Sequence, residues 1–187
     1  MSAPAYPWYD VVEGRDLCQG DILYSCPVFA PAADVGIGSL QSGATPDFKW
    51  TQRDVVVMTQ TCDLLHDRVS EVLLCPAWRR IDLADRSAWD DHGMEQLRKG
   101  NRPGFHLINK CTLRGFEDDV RVIDFRRVHV LPLPFLRDFA TGSGRRLRLL
   151  PPYREHLSQA FARFFMRVGL PVDIEPFEKP RVASAER

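Results

Sequence analysis

"RDVVVMTQTCDLLHDR", residues 53–68, opens on a Val-Val-Val-Met run and turns at once into threonine, glutamine, cysteine, aspartate and histidine. A continuous apolar, β-branched run reads as a strand buried on both faces, here Val55 to Met58, because a strand with one wet face alternates instead. Such a strand needs neighbours. "SEVLLCPAW" (70–78) supplies one, after the polar connection "TCDLLHDRV". Upstream, "QGDILYSCPVF" (19–29) gives a turn at Gly20 and Asp21 and a strand from Ile22 to Cys26, which Pro27 should end. Residues 30–48, rich in Ala, Gly, Ser and Pro without periodicity, read as a surface loop. Residues 1–18 read as an N-terminal arm that becomes ordered near Tyr9 to Val12.

Downstream, a helical insert is expected at about 82–100, capped by Asp82 or Asp85, interrupted near Gly93 and ended by Gly100. "GFHLINKCTL" (104–113) and "VRVIDFRRVHVLPL" (120–133) are strands of a meander around the turn "RGFEDD". In "PPYREHLSQAFARFFMRVGLP" (151–171), Leu157, Ala160, Phe161, Phe164, Phe165 and Val168 share one helical face, with two prolines at the start and Gly169 at the close. A charged tail, 178–187, follows. Residues 19–177 thus read as a single α+β domain: a small antiparallel SH3-like β-barrel with a helical insert and a C-terminal amphipathic helix.

Composition narrows the function classes. Of 187 residues, 44% are hydrophobic, enough for one sizeable core. Lys plus Arg equals Asp plus Glu at 25 each, so net charge gives no drive toward polyanions, and any such site must be local. Five cysteines (Cys18, Cys26, Cys62, Cys75, Cys111) without CxxC spacing argue for a reducing, cytoplasmic setting rather than a disulfide framework. No stretch approaches 18 consecutive apolar residues, so no membrane span is expected.

Reactive residue types concentrate where the buried run ends. Loops on a rigid scaffold commonly carry function, and Thr59, Thr61, Asp63 and His66 fall on such a loop. The structural alternative is that Thr61 and Asp63 cap a turn, Cys62 is a small buried residue and His66 is surface. Cys62 and His66 could instead ligate zinc with Cys26, Cys111 or His106. Cys62 could also act as a nucleophile with His106, His129 or His156. Two basic loops, one with Arg98, Lys99 and Arg102 and one with Arg145, Arg146 and Arg148, could together form a groove for single-stranded RNA, with Trp78 or Phe105 as a stacking surface. The first turn of the last helix carries Arg154, unfavourable for the helix dipole and therefore in want of a partner.

Taken in order, Gly20-Asp21-Ile22, Arg53-Asp54-Val55-Val56-Val57, Val72 to Trp78, "VRVIDFRRVHVLP" and the final "RVGLP" resemble the MazF/PemK family of toxin endoribonucleases, over about residues 19–170. The resemblance implies an SH3-like barrel, metal-independent RNA cleavage without a cofactor, a homodimer and an antitoxin peptide partner. It departs from the family at two places: Asp54 stands where the family has Pro, and the catalytic Thr expected at or beside Trp78 is missing. Cleavage needs a proton acceptor, a proton donor and positive charge at the phosphorane. By residue type, Asp63 or His66 could be the base, Arg53 the clamp and Thr59 or Thr61 phosphate donors, so that Arg53→Ala should abolish cleavage. A non-catalytic module that docks protein or nucleic acid through residues 59–66 is the alternative, as is a zinc or thiol enzyme built on Cys62 and His66.

Overall fold

The structure, a computed structural model, describes residues 6–31, 48–83 and 89–166. Eight strands form one antiparallel sheet: β1 (Tyr9–Val12), β2 (Asp21–Pro31), β3 (Phe48–Val57), β4 (Glu71–Arg79), β5 (Phe105–Ile108), β6 (Arg121–Asp124), β7 (His129–Pro132) and β8 (Arg146–Leu149). Their order is β1-β8-β2-β3-β4-β6-β5, with β7 on β4. Four helices, α1 (Thr61–Leu65), α2 (Asp91–Arg98), α3 (Leu133–Ser143) and α4 (Tyr153–Phe165), complete an α+β architecture.

The valine run shows why it does not alternate. Val56 and Met58 enter a core with Ile22, Ile123, Phe125 and Leu157, while Val55 and Val57 enter a second core with Leu17, Leu64, Leu74 and Leu136. All three valines are fully buried, each contributing roughly 1.5–3 kcal/mol of transfer free energy. A third cluster seats α2, through Met94 and Leu97, against Val122 of β6. Helix α4 lies against the first core. Leu157 is fully buried, Phe161 meets Phe125 edge-on at 5.3 Å, and Tyr153 stacks on Trp8 at 3.5 Å.

The expected barrel is corrected: the sheet curls but is not closed, since its end strands β1 and β5 do not pair. Both are only four residues long, and the Tyr9 hydroxyl donates to the Asn109 carbonyl, so a side chain rather than a ladder links them. Pro27 does not end its strand. Past Ile22, β2 is paired only with β3, so a residue without an N–H is tolerated opposite Gln52, just after a bulge at Ser25. The cap of α2 is Asp90, whose carboxylate accepts the Gly93 N–H at 2.7 Å; Asp82 instead pairs with Arg79, and Asp85 lies outside the described residues. Gly93 therefore sits in the first turn of α2 and interrupts nothing. Residues 84–88 of the expected insert, most of the loop read at 30–48, Val168, Gly169 and the tail also lie outside the described residues.

Candidate functional site

After β3 the chain is held by its own backbone. Met58 N–H donates to Leu73 O at 2.8 Å, and Leu73 N–H returns a bond to the Thr59 hydroxyl at 2.7 Å. Buried Leu64 anchors α1 in the second core. The turn before β2 locks against this bend: Gly20 N–H donates to Val57 O at 2.8 Å, Gln19 N–H to the Thr61 hydroxyl at 3.1 Å, and Gln19 Nε2 to Met58 O at 2.8 Å. Gly20 has φ +86°, and a Cβ there would sit 3.0 Å from Leu149 Cβ, so the close approach requires glycine.

The residues expected at the site therefore separate. Both threonine hydroxyls already accept backbone N–H groups. Exposed His66 closes α1, its N–H bonded to Cys62 O. Asp63 lies beside Cys62, Oδ1 to Sγ 3.7 Å. Arg53 is elsewhere: the strand from Arg53 to Val57 alone spans about 13 Å, and its guanidinium lies 5.1 Å from the Trp78 ring centroid in a hollow of about 340 Å³. That hollow is where the resemblance would put the Arg-Thr pair. It holds a cation over an indole, without the hydroxyl. Asp54 accepts the Ser25 N–H at 2.9 Å and pairs with buried Arg121 at 2.7 Å, which gives the family's proline position a different structural task.

What does converge on α1 is helix α4. A polar cleft of about 410 Å³ lies between Gln19, Gln60, Cys62, Arg154, Glu155 and Ser158. The Ser158 hydroxyl accepts from Gln60 Nε2 at 3.3 Å and Gln19 Nε2 at 3.4 Å. Arg154 finds its partner in Glu155 Oε1 at 2.7 Å, leaving Oε2 buried without one. Gln159 lines this cleft and also a second hollow, of about 490 Å³, between α2, β5 and α4. There Arg98, His106, His156 and Arg163 face one space.

The two hollows flank α4 on its two sides and share only Gln159; between them they are lined by three guanidiniums, two imidazoles and the Glu155 carboxylate. Arg98 is also held by Glu95 of its own helix at 2.7 Å. His106 is stacked on Phe125, and burial, reinforced by the charge of His156, depresses its pKa to about 4. Among the described residues, neither imidazole has a hydrogen-bond partner, and Arg163 has no ion pair.

The remaining basic residues serve other contacts. Lys99 pairs with Glu95 at 3.3 Å, Arg102 lies over Trp89 at 4.5 Å, and Arg145 over Phe116 at 5.5 Å. Arg146 is buried on Asp21. The two basic loops thus do not form one groove; Arg98 joins α4 instead. A zinc set is not assembled either: Cys26 and Cys111 lie in different apolar cores, and among the described residues no group of three or more His, Cys, Asp or Glu side chains is placed to hold a metal. Burial pushes the Cys26 and Cys75 thiols up to about 12, leaving Cys62 as the exposed thiol. Sequence reasoning missed Gln19, Gln159 and Arg163. Sequence alone offers His106 only as a partner of Cys62, since nothing local in "FHLI" says that it would share a hollow with α4.

Compared with known proteins, the chain matches no family model, no curated protein and no solved structure. No described helix is long and apolar enough to cross a membrane.

Proposed function

We propose that the protein binds single-stranded RNA along α4. Three guanidiniums beside α4, Arg98, Arg154 and Arg163, carry the reading, because phosphate contacts dominate nucleic-acid affinity and a neutral chain must place its cations locally; Glu95 and Glu155 hold the first two, and a phosphate would compete for them. Arg154 and Arg163, nine residues apart on one helix, are separated by about 14 Å along its axis and about half a turn around it, so a single strand reaching both would cross the exposed face of α4 at Gln159. Hollows of 410 and 490 Å³ suit a phosphate or a splayed base, not a duplex. Gln60 and Gln159 offer side-chain amides to base edges or a 2′-hydroxyl.

The sequence resemblance to MazF/PemK proteins, which act on RNA, is in keeping with this reading although the sheet here is not a closed barrel. So does a cytoplasmic setting, where RNA meets five free thiols. The test is fluorescence anisotropy of a labelled mixed-sequence RNA oligonucleotide with the full chain. Arg163→Glu should weaken binding at least tenfold; unchanged affinity in that variant, or equal affinity for duplex RNA, defeats the reading.

A further inference from the structure

The cleft between the Gln19 turn, α1 and α4 holds hydrogen-bonding groups that phosphate contacts do not use. Gln19 is 5% exposed, and its Nε2 donates to Met58 O at 2.8 Å and to the Ser158 hydroxyl at 3.4 Å. The Met58 carbonyl fixes which end of this amide is nitrogen. Both amide hydrogens are thus spent, and Oε1 is left as an acceptor without a partner among the described residues. That oxygen is not sealed in the interior, so it opens on the cleft that Gln19 lines. Ser158 is its complement. The serine oxygen also accepts from Gln60 Nε2, at 3.3 Å, which fills both lone pairs and leaves the O–H to donate. Gln60 keeps its second N–H. A fixed acceptor therefore stands beside two neighbouring donors in a space of about 410 Å³. Charge separates the two sides of α4: the hollow of Arg98 and Arg163 has no carboxylate in its lining, whereas the one guanidinium here is paired with Glu155. The first side suits a phosphate and the second a neutral polar group.

Resting on the RNA reading, we propose that this cleft takes one base of the strand and reads the ring N–H beside a carbonyl that uracil and guanine share. The ring N–H donates to Gln19 Oε1, and the carbonyl oxygen accepts from the Ser158 O–H and from Gln60 Nε2. A carbonyl oxygen has two lone pairs for these two donors. In adenine and cytosine the acceptor next to an N–H is a ring nitrogen with one lone pair, so one donor would lie unpaired against it. The Gln19 amide cannot turn to suit those bases, because its oxygen would then face the Met58 carbonyl. Recognition of an unstacked base by its hydrogen-bonding edge is what single-stranded RNA permits and a duplex does not. Gln159, which lines both hollows, stands where the backbone would pass from the base side of α4 to the phosphate side.

The experiment is fluorescence anisotropy of the full chain with labelled RNA octamers of uridine, inosine, adenosine or cytidine. Inosine carries the N–H and carbonyl of guanine without its amino group. Wild type should bind the uridine or the inosine octamer at least tenfold tighter than the adenosine and cytidine octamers. Which of the first two it prefers tells whether the edge comes from uracil or from guanine. Ser158→Ala and Gln60→Ala should each reduce the preference to below threefold. Because Gln60 is exposed, its variant remains informative if the Ser158 variant does not fold. A smaller preference in wild type, a preference for adenosine or cytidine, or one that survives in either folded variant overturns the base reading while leaving the RNA site standing. No binding of any octamer overturns both.

Discussion

Asp21 is the residue whose loss the fold should feel most. Its carboxylate is fully buried and accepts from Arg146 Nε at 2.8 Å, from Arg148 Nε and Nη2, the latter at 2.9 Å, and from Cys18 N–H at 3.1 Å. Removing one partner of a buried ion pair costs about 3–5 kcal/mol, because the other charge stays buried. Here two charges stay. Arg146, 2% exposed, would keep only the Gly14 and Asp16 carbonyls; Arg148, less buried, could turn toward water. Asp21→Asn, which retains one acceptor oxygen, should therefore cost about 3 kcal/mol and Asp21→Ala nearer 5. For a chain of this size the asparagine variant should melt about 6–12 °C lower. Urea unfolding followed by circular dichroism and tryptophan fluorescence gives the difference directly. A loss below about 1 kcal/mol for Asp21→Ala, with an unchanged denaturant slope, would show that this cluster does not hold β2 to β8.

Gly20→Ala must strain a φ of +86° and press on Leu149 and Arg154, so a loss of about 1–3 kcal/mol is expected in the same unfolding assay. Thr59→Val removes the acceptor of the exposed Leu73 N–H bond and should cost about 0.5–1 kcal/mol while leaving RNA affinity within twofold, as should Arg53→Ala; a tenfold loss of affinity in either would return the site to the β3 end. His106 has a folded pKa near 4, below its unfolded value of 6.5, so its neutral form is the one folding favours. Its contribution is present above pH 6.5 and lost as pH falls toward 4, by up to about 3 kcal/mol. His156, Arg98 and Arg163 share its hollow, and the charge of His156 adds to burial in disfavouring its protonation. Wild type should thus lose more stability than His106→Gln between pH 7 and 4.5, and parallel curves would show that the ring is solvated.

Local rules made the central strands legible. Val55 to Val57 carry both a propensity and a burial pattern, and β4 and α4 follow from equally periodic stretches. What escaped depended on partners distant in sequence. Helix α3 begins at "LPFLRDF", whose Leu133, Leu136 and Ala140 face the second core, yet Pro132 before it, Pro134 in its first turn and its ending in Thr-Gly-Ser obscure it in the sequence. Arg146 reads as a surface cation until Asp21, 125 residues earlier, is seen beneath it. The same applies to the site. The cluster at 59–66 was visible, but whether a threonine hydroxyl is free depends on Leu73 and Gln19, and whether a histidine is exposed depends on α4.

The salt dependence of RNA affinity bears most directly on the site beside α4. Each phosphate neutralised on a single strand contributes about −0.7 to the slope of log affinity against log salt. With Arg98, Arg154 and Arg163 engaged, wild type should show a slope of about −2, and Arg98→Ala with Arg163→Ala should flatten it by about 1.4. An unchanged slope in the double variant would mean that the strand, if held at all, is held by another face of the protein.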